Sequence, residues 1–169
     1  MNTLYLILHI IGIALGAGGA FMSDALFFHF LKKRDFSDSN VAILKLGSRM
    51  VWIGLAVLLI SGVFLFAGNP DRYLHSSKFL IKMTIVLVIA INGVVFHKVH
   101  MRRMSEFTPG LFVSGAISMP SWILAIVLGA MHGIALSYPT LLAGYIVILS
   151  GSIFVSLMMR KRLPPHDGS

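Results

Sequence analysis

The sequence predicts an all-α integral membrane protein: a five-helix transmembrane bundle forming one domain, with its N-terminus outside and its C-terminus inside. Three observations carry this. Five apolar runs, at about 4–31, 50–66, 78–100, 111–136 and 140–159, have the length that a hydrocarbon core demands of a helix. Apolar residues make up 57% of the chain and charged ones 12%, a balance that continuous spans produce and an alternating soluble fold does not. The basic residues also divide unevenly between the two sets of span ends. Lys32, Lys33, Arg34, Lys45, Arg49, Lys98, Arg102, Arg103, Arg160, Lys161 and Arg162 share one side, and only Arg72, Lys78 and Lys82 lie on the other. The positive-inside rule makes the crowded side cytoplasmic. The net charge of +8 therefore reads as orientation and not as a nucleic-acid surface.

Each element follows from local signals. No Lys or Arg precedes the first apolar run, so it lacks the basic start of a secretory signal and reads as a retained span. It ends at Lys32-Lys33-Arg34, and the polar stretch from Asp35 to Asn40 can cap a new helix. The second helix begins amphipathically near Asn40, with Lys45 and Arg49 on its rim, and is membrane-buried from Met50 to Phe66. Gly68-Asn69-Pro70-Asp71 is a turn signal, and the loop continues through His75 to Ser76-Ser77. The third helix runs from about Lys78 to His100 and is followed by a basic connection. The fourth span carries Pro120 inside it, which kinks the helix or marks its start. Ser137-Tyr138-Pro139 turns the chain into the fifth span, and the tail beyond Met159 is too polar and proline-rich to continue.

The chain contains no cysteine, which excludes disulfides, thiolate metal sites and iron–sulfur clusters and leaves histidine, methionine and carboxylate as ligands. His9, Gly12, Gly16, Gly19 and Ser23 repeat at intervals of three and four, so they share one face of the first helix. Ser114, Ser118, Ser121, Ala125, Gly129 and His132 do the same on the fourth. Each helix thus presents a small-residue groove with a histidine near its outer end. Facing imidazoles beside glycine-rich walls suit axial ligation of haem b by His9 and His132, with Gly16, Gly19 and Gly129 leaving room for the macrocycle. Lys78 and Lys82 could neutralise its propionates, with Arg72 a third candidate. Two other readings stay open. Small-residue stripes are also how transmembrane helices pack. Alternatively, His75 joins His9 and His132 in a three-histidine zinc or copper site.

Toward the inner side, Asp24 needs a partner or a proton, and Asn92 and Arg49 are the groups placed to meet it. His29, His97 and His100 could outline a second haem or metal site, or could simply solvate among the basic residues. Met101, Met104 and Met131 offer soft ligands, although methionine is ordinary packing material in such helices. No nucleophile–base pair, phosphate loop or zinc-protease motif is present, and His166 in the tail suggests no chemistry.

His9 with Gly19 ten residues later, and Lys78-x-x-x-Lys82 leading to Asn92 and His97, make helices one to three resemble a group of small bacterial membrane proteins. That group includes the copper-resistance CopD domain and the HemJ type of protoporphyrinogen oxidase. The resemblance implies haem b at His9, a functional lysine at Lys82, and a multi-pass place in the bacterial cytoplasmic (inner) membrane. The chain departs from the pattern at Gly16, where tryptophan is expected, and at Asp24-Ala25, where a Pro-Arg pair is expected.

The resulting expectation is a haem b-binding membrane redox protein. It would pass electrons to a redox partner, or oxidise a lipophilic, porphyrin- or quinone-like substrate near the outer face. The alternatives are copper or zinc transport or handling, and a non-catalytic membrane subunit or scaffold that could form a homo-oligomer.

Overall fold

The computed structural model describes residues 2–33, 35–100, 108–131, 133 and 136–162. His132, Met101, Met104, Arg102, Arg103, Arg34 and His166 lie outside the described residues. All regular structure among the described residues is helical: α1 (Asn2–Lys33), α2 (Asp38–Ala67), the short α3 (Pro70–Leu74), α4 (Ser77–Val95), α5 (Pro109–Ala130) and α6 (Tyr138–Lys161). A π-helical turn, Phe96–His100, extends α4. Every helix except α3 is long and apolar enough to cross a membrane.

The boundaries differ from the apolar runs where backbone and hydropathy obey different rules. α2 begins at Asp38, well before its apolar stretch, because Lys45 and Arg49 are exposed on its surface and do not interrupt its hydrogen bonds. The loop expected after Phe66 contains α3, capped where Asn69 Oδ1 accepts the Arg72 N–H. Ser76 and Ser137 cap α4 and α6 in the same way, accepting from Phe79 and Thr140. α5 ends at Ala130, six residues short of the apolar run's end at 136. Met131 is already extended there, and Gly133 adopts φ 69°, a conformation that glycine reaches without a Cβ penalty. Pro120 falls inside α5, so the Ala116 carbonyl lacks the amide N–H that would normally bond it.

Specific contacts fix the topology. His9 meets Ser61 and Gly19 meets Gly47, so α1 and α2 are antiparallel. Trp122 of α5 lies on Gly16 and Phe112 on Phe27, so α5 runs against α1. Asn92–Ser114 and Ser121–Tyr145 set α5 antiparallel to α4 and to α6 as well. α5 is therefore the central helix, and its Trp122 and Ser121 are almost wholly enclosed. The main core joins Leu55, Leu58, Ile81, Ile85, Ile89, Trp122 and Tyr145, and a smaller cluster of Phe30, Leu31, Leu44, Leu111 and Phe112 closes the opposite end. The periphery stays apolar. Val147 of α6 is 70% exposed and Phe154 64%, surface that lipid solvates and water would not.

Candidate functional site

The small-residue face of α1 is a helix–helix seam. A Cβ added at Gly12 would stand 2.7 Å from Leu58 N, and one at Gly54 only 2.2 Å from Gly16 N. At Gly16 an added Cβ would lie 2.3 Å from the Trp122 ring, and at Gly19 it would meet Gly47 O at 3.1 Å. The space that sequence spacing offered to a flat ligand is thus occupied by α2 and an indole. A macrocycle does not fit between these surfaces. Gly129 on α5 differs, since nothing lies within 4 Å of its added Cβ.

His9, at the outer end of this seam, is held in a defined state. Ser61 Oγ donates its single proton to Val57 O at 2.7 Å, with Leu58 O also near at 3.1 Å. The 3.1 Å contact between Ser61 Oγ and His9 Nδ1 therefore has the imidazole as donor. A neutral His9 so held keeps its lone pair on Nε2. Gly62 lies on the Nδ1–Cε1 edge and leaves room for the ring. Lys78 donates to the Met131 carbonyl. His75 is exposed and donates from Nδ1 to Asp71 O at 2.9 Å. Among the described residues no three histidine or carboxylate side chains gather as metal ligands. His29 and His97 are exposed at the opposite end of the bundle, His29 edge-on to Phe30, and His100 ends the π turn.

A cavity of about 580 Å³ occupies the half of the bundle opposite His9, and all five long helices contribute to it. Its walls are mainly apolar, with Phe27, Phe28, Trp52, Phe96 and Phe112 among them. Polar groups enter from Ser23, Asp24, Ser48, Asn92, Ser114 and Ser118. Two of these are paired with each other. Asn92 Nδ2 donates to Ser114 O and Ser114 Oγ donates to Asn92 Oδ1, both at 3.0 Å. Ser156 Oγ, also on the wall, donates to Phe112 O at 2.8 Å. Asp24 has no such pairing. Its Oδ2 is buried without a hydrogen-bond partner, as is the neighbouring Ser23 Oγ. Gly115 makes room for the carboxylate, since an added Cβ would lie 3.4 Å from Oδ1.

The structure therefore brings Asp24 and Asn92 to one cavity but does not pair them; Asn92 pairs with Ser114. Arg49 is exposed and forms no bond with Asp24. Sequence reasoning missed Ser61, Trp52, Ser48 and Gly115 as site residues. Only Ser61 had a readable signal, at seven-residue intervals from Gly54 and Gly47 on the face that meets α1.

Comparison with protein-family models, curated proteins and solved structures returns no match for this chain. Fold and cavity together define a multi-pass membrane protein with a largely apolar, partly open chamber lined, among the described residues, by one carboxyl group.

Proposed function

We propose that this protein binds a lipophilic small molecule within the membrane, in the chamber around Asp24. The observation that carries the reading is the conjunction of about 580 Å³ of apolar-walled space with a buried carboxylate oxygen that no described group satisfies. Ligand sites have this composition: mostly hydrophobic walls and a few placed polar groups that fix orientation. The test is to purify the full chain from its membrane in mild detergent and analyse the organic extract by mass spectrometry. A molecule retained by the wild type and absent from Gly115→Leu, which fills the space beside Asp24, supports the reading. Identical extracts from the two would refute it.

The clustering of basic residues supports an orientation with the N-terminus outside, in the bacterial cytoplasmic membrane. The chamber then occupies the inner half of the bilayer and His9 the outer half. Because the chain has no native cysteine, single cysteines at Ser37 and Ser137 report sidedness cleanly; an impermeant thiol reagent should label only the second in intact cells.

A second reading, haem b ligation at the outer end, is favoured by the Nδ1–H state of His9, which presents Nε2 as a ligand in the way that hydrogen-bonded metal-binding histidines do. His9 fits such a role, whereas the packed Gly12–Gly16–Gly19 face does not fit the macrocycle. A b-type α band in the reduced-minus-oxidised spectrum, lost in His9→Ala, would support this reading. A colourless protein after haem supplementation would remove it.

A further inference from the structure

We infer that the ligand of the Asp24 chamber is an amphiphilic amine, bound through its ammonium group to the Asp24 carboxylate. The inference rests on the binding reading above and adds the chemistry of the ligand.

The donor and acceptor inventory of the chamber leads to it. Asp24 offers an acceptor at Oδ2 that is buried and unused. Ala116, whose carbonyl loses its usual amide partner to Pro120, is a residue of the same wall. The amide donor that could have answered Asp24 is on Asn92, but that side chain both donates to and accepts from Ser114. Among the described residues lining the chamber there is no lysine, arginine or histidine. The chamber thus holds one carboxyl group with an unused oxygen and, among the described residues, no cation. Placing a carboxylate in hydrocarbon without a counter-charge is expensive: it either takes up a proton or stays ionised against a group that brings both N–H donors and positive charge. An ammonium does both. The aromatic walls fit the rest of the ligand: Trp52, Phe27 and Phe96 offer ring surface to an apolar body and ring faces to a cation.

Two alternatives are less consistent with these groups. A metal ion would find a single carboxylate, with no three ligating side chains gathered among the described residues. A ligand with acceptors only, such as a quinone, would meet another acceptor in the ionised carboxylate and would bond only to a protonated Asp24.

The test uses the full chain in phosphatidylcholine nanodiscs and three probes of one skeleton: 4-phenylbutylamine, 4-phenylbutan-1-ol and 4-phenylbutan-2-one. Trp52 lies on the chamber wall and Trp122 is packed on Gly16, so intrinsic fluorescence reports occupancy and the response should vanish in Trp52→Phe. The amine should bind about tenfold more tightly than the alcohol, the scale of one charge-assisted contact. In Asp24→Asn, with helicity checked by circular dichroism, the two should come within about twofold. An alcohol or ketone that binds the wild type as tightly as the amine overturns the ammonium inference while leaving the binding reading intact. If no probe moves the Trp52 signal, the binding reading itself falls.

A lipid headgroup could supply the same ammonium. Adding phosphatidylethanolamine to the disc separates the sources: weaker amine binding assigns the chamber to a lipid, and unchanged binding assigns it to a free amine.

Discussion

The seam between α1 and α2 makes a sharp prediction, because chemically identical substitutions should move stability in opposite directions. In Gly54→Ala the new methyl would stand 2.2 Å from Gly16 N, 2.6 Å from Gly16 Cα and 2.7 Å from Gly12 O. All three are backbone atoms, so no rotamer change relieves the clash. Reaching ordinary van der Waals contact requires the helices to part by about 1 Å, and gaps of that size forfeit a quarter to a half of each dispersion contact they open. Parting at Gly54 also loosens Gly12 against Leu58 and Gly19 against Gly47, which lie on the same line. Overpacking of this kind costs roughly 1–3 kcal/mol, against which alanine's better helix propensity returns about 0.5–1. The net expectation is a loss of about 1–2 kcal/mol. Gly18→Ala on α1 and Gly144→Ala on α6 meet nothing within 4 Å and should be neutral or stabilising by a few tenths to about 1 kcal/mol. Unfolding in a mild-detergent and dodecyl-sulfate mixture, followed by Trp122 fluorescence next to the seam, measures all three. A Gly54→Ala protein that unfolds with the wild type would show that the helices do not approach this closely. Equal losses at Gly54 and Gly18 would show that propensity, and not contact, sets the outcome.

Three further outcomes are expected. Asp24→Asn should raise the stability of the ligand-free protein by about 1 kcal/mol or more in the same assay while removing its preference for amines, since it replaces a buried unpartnered carboxylate by a neutral isostere. A double-mutant cycle on Asn92→Ala and Ser114→Ala should give a coupling near 0.6 kcal/mol, the average for interhelical hydrogen bonds in membranes, and a coupling near zero would mean that α4 and α5 do not exchange these bonds. Ser61→Ala removes the acceptor for His9 Nδ1 and should cost about 0.5–1.5 kcal/mol, an effect that His9→Ala should largely abolish when the two are combined.

The fold was legible because hydropathy and backbone geometry agree over most of the chain. Runs such as 50–66 carry no charge and a single serine, so a helix is the backbone that satisfies its own hydrogen bonds in lipid. They part company at the ends. Lys45 and Arg49 interrupt the apolar run but not the helix, because a charged side chain at a membrane boundary can point outward from an unbroken ladder. After Ala130 the chain stays apolar while the helix stops, and the extended Met131 and the positive φ of Gly133 mark the place. Hydropathy counts side chains and is blind to that turn. Pro120 belongs to the same class. Its effect on the Ala116 carbonyl follows from chemistry, but its place inside α5 could not be read from composition.

The candidate sites were legible only as far as spacing determines faces. The stripe from His9 to Ser23 is a true single face of α1, and helical periodicity guarantees that much. What covers the face is a question about a second element, and here Gly47, Gly54 and Ser61 of α2 supply the complementary row. Spacing in one helix cannot distinguish a seam from a groove, because both need the same small residues. Asp24 presents the converse problem. Its need for a partner is plain from a carboxylate in an apolar run, and Asn92 does arrive at the same depth, but Ser114 satisfies both the amide and the carbonyl of Asn92 first. The carboxylate is left with an unanswered oxygen beside open space. Packing alone would fill that space with an apolar side chain, since an unpaired buried carboxylate destabilises what surrounds it. A residue that works against the fold while lining its described chamber is the physical ground for proposing a ligand there.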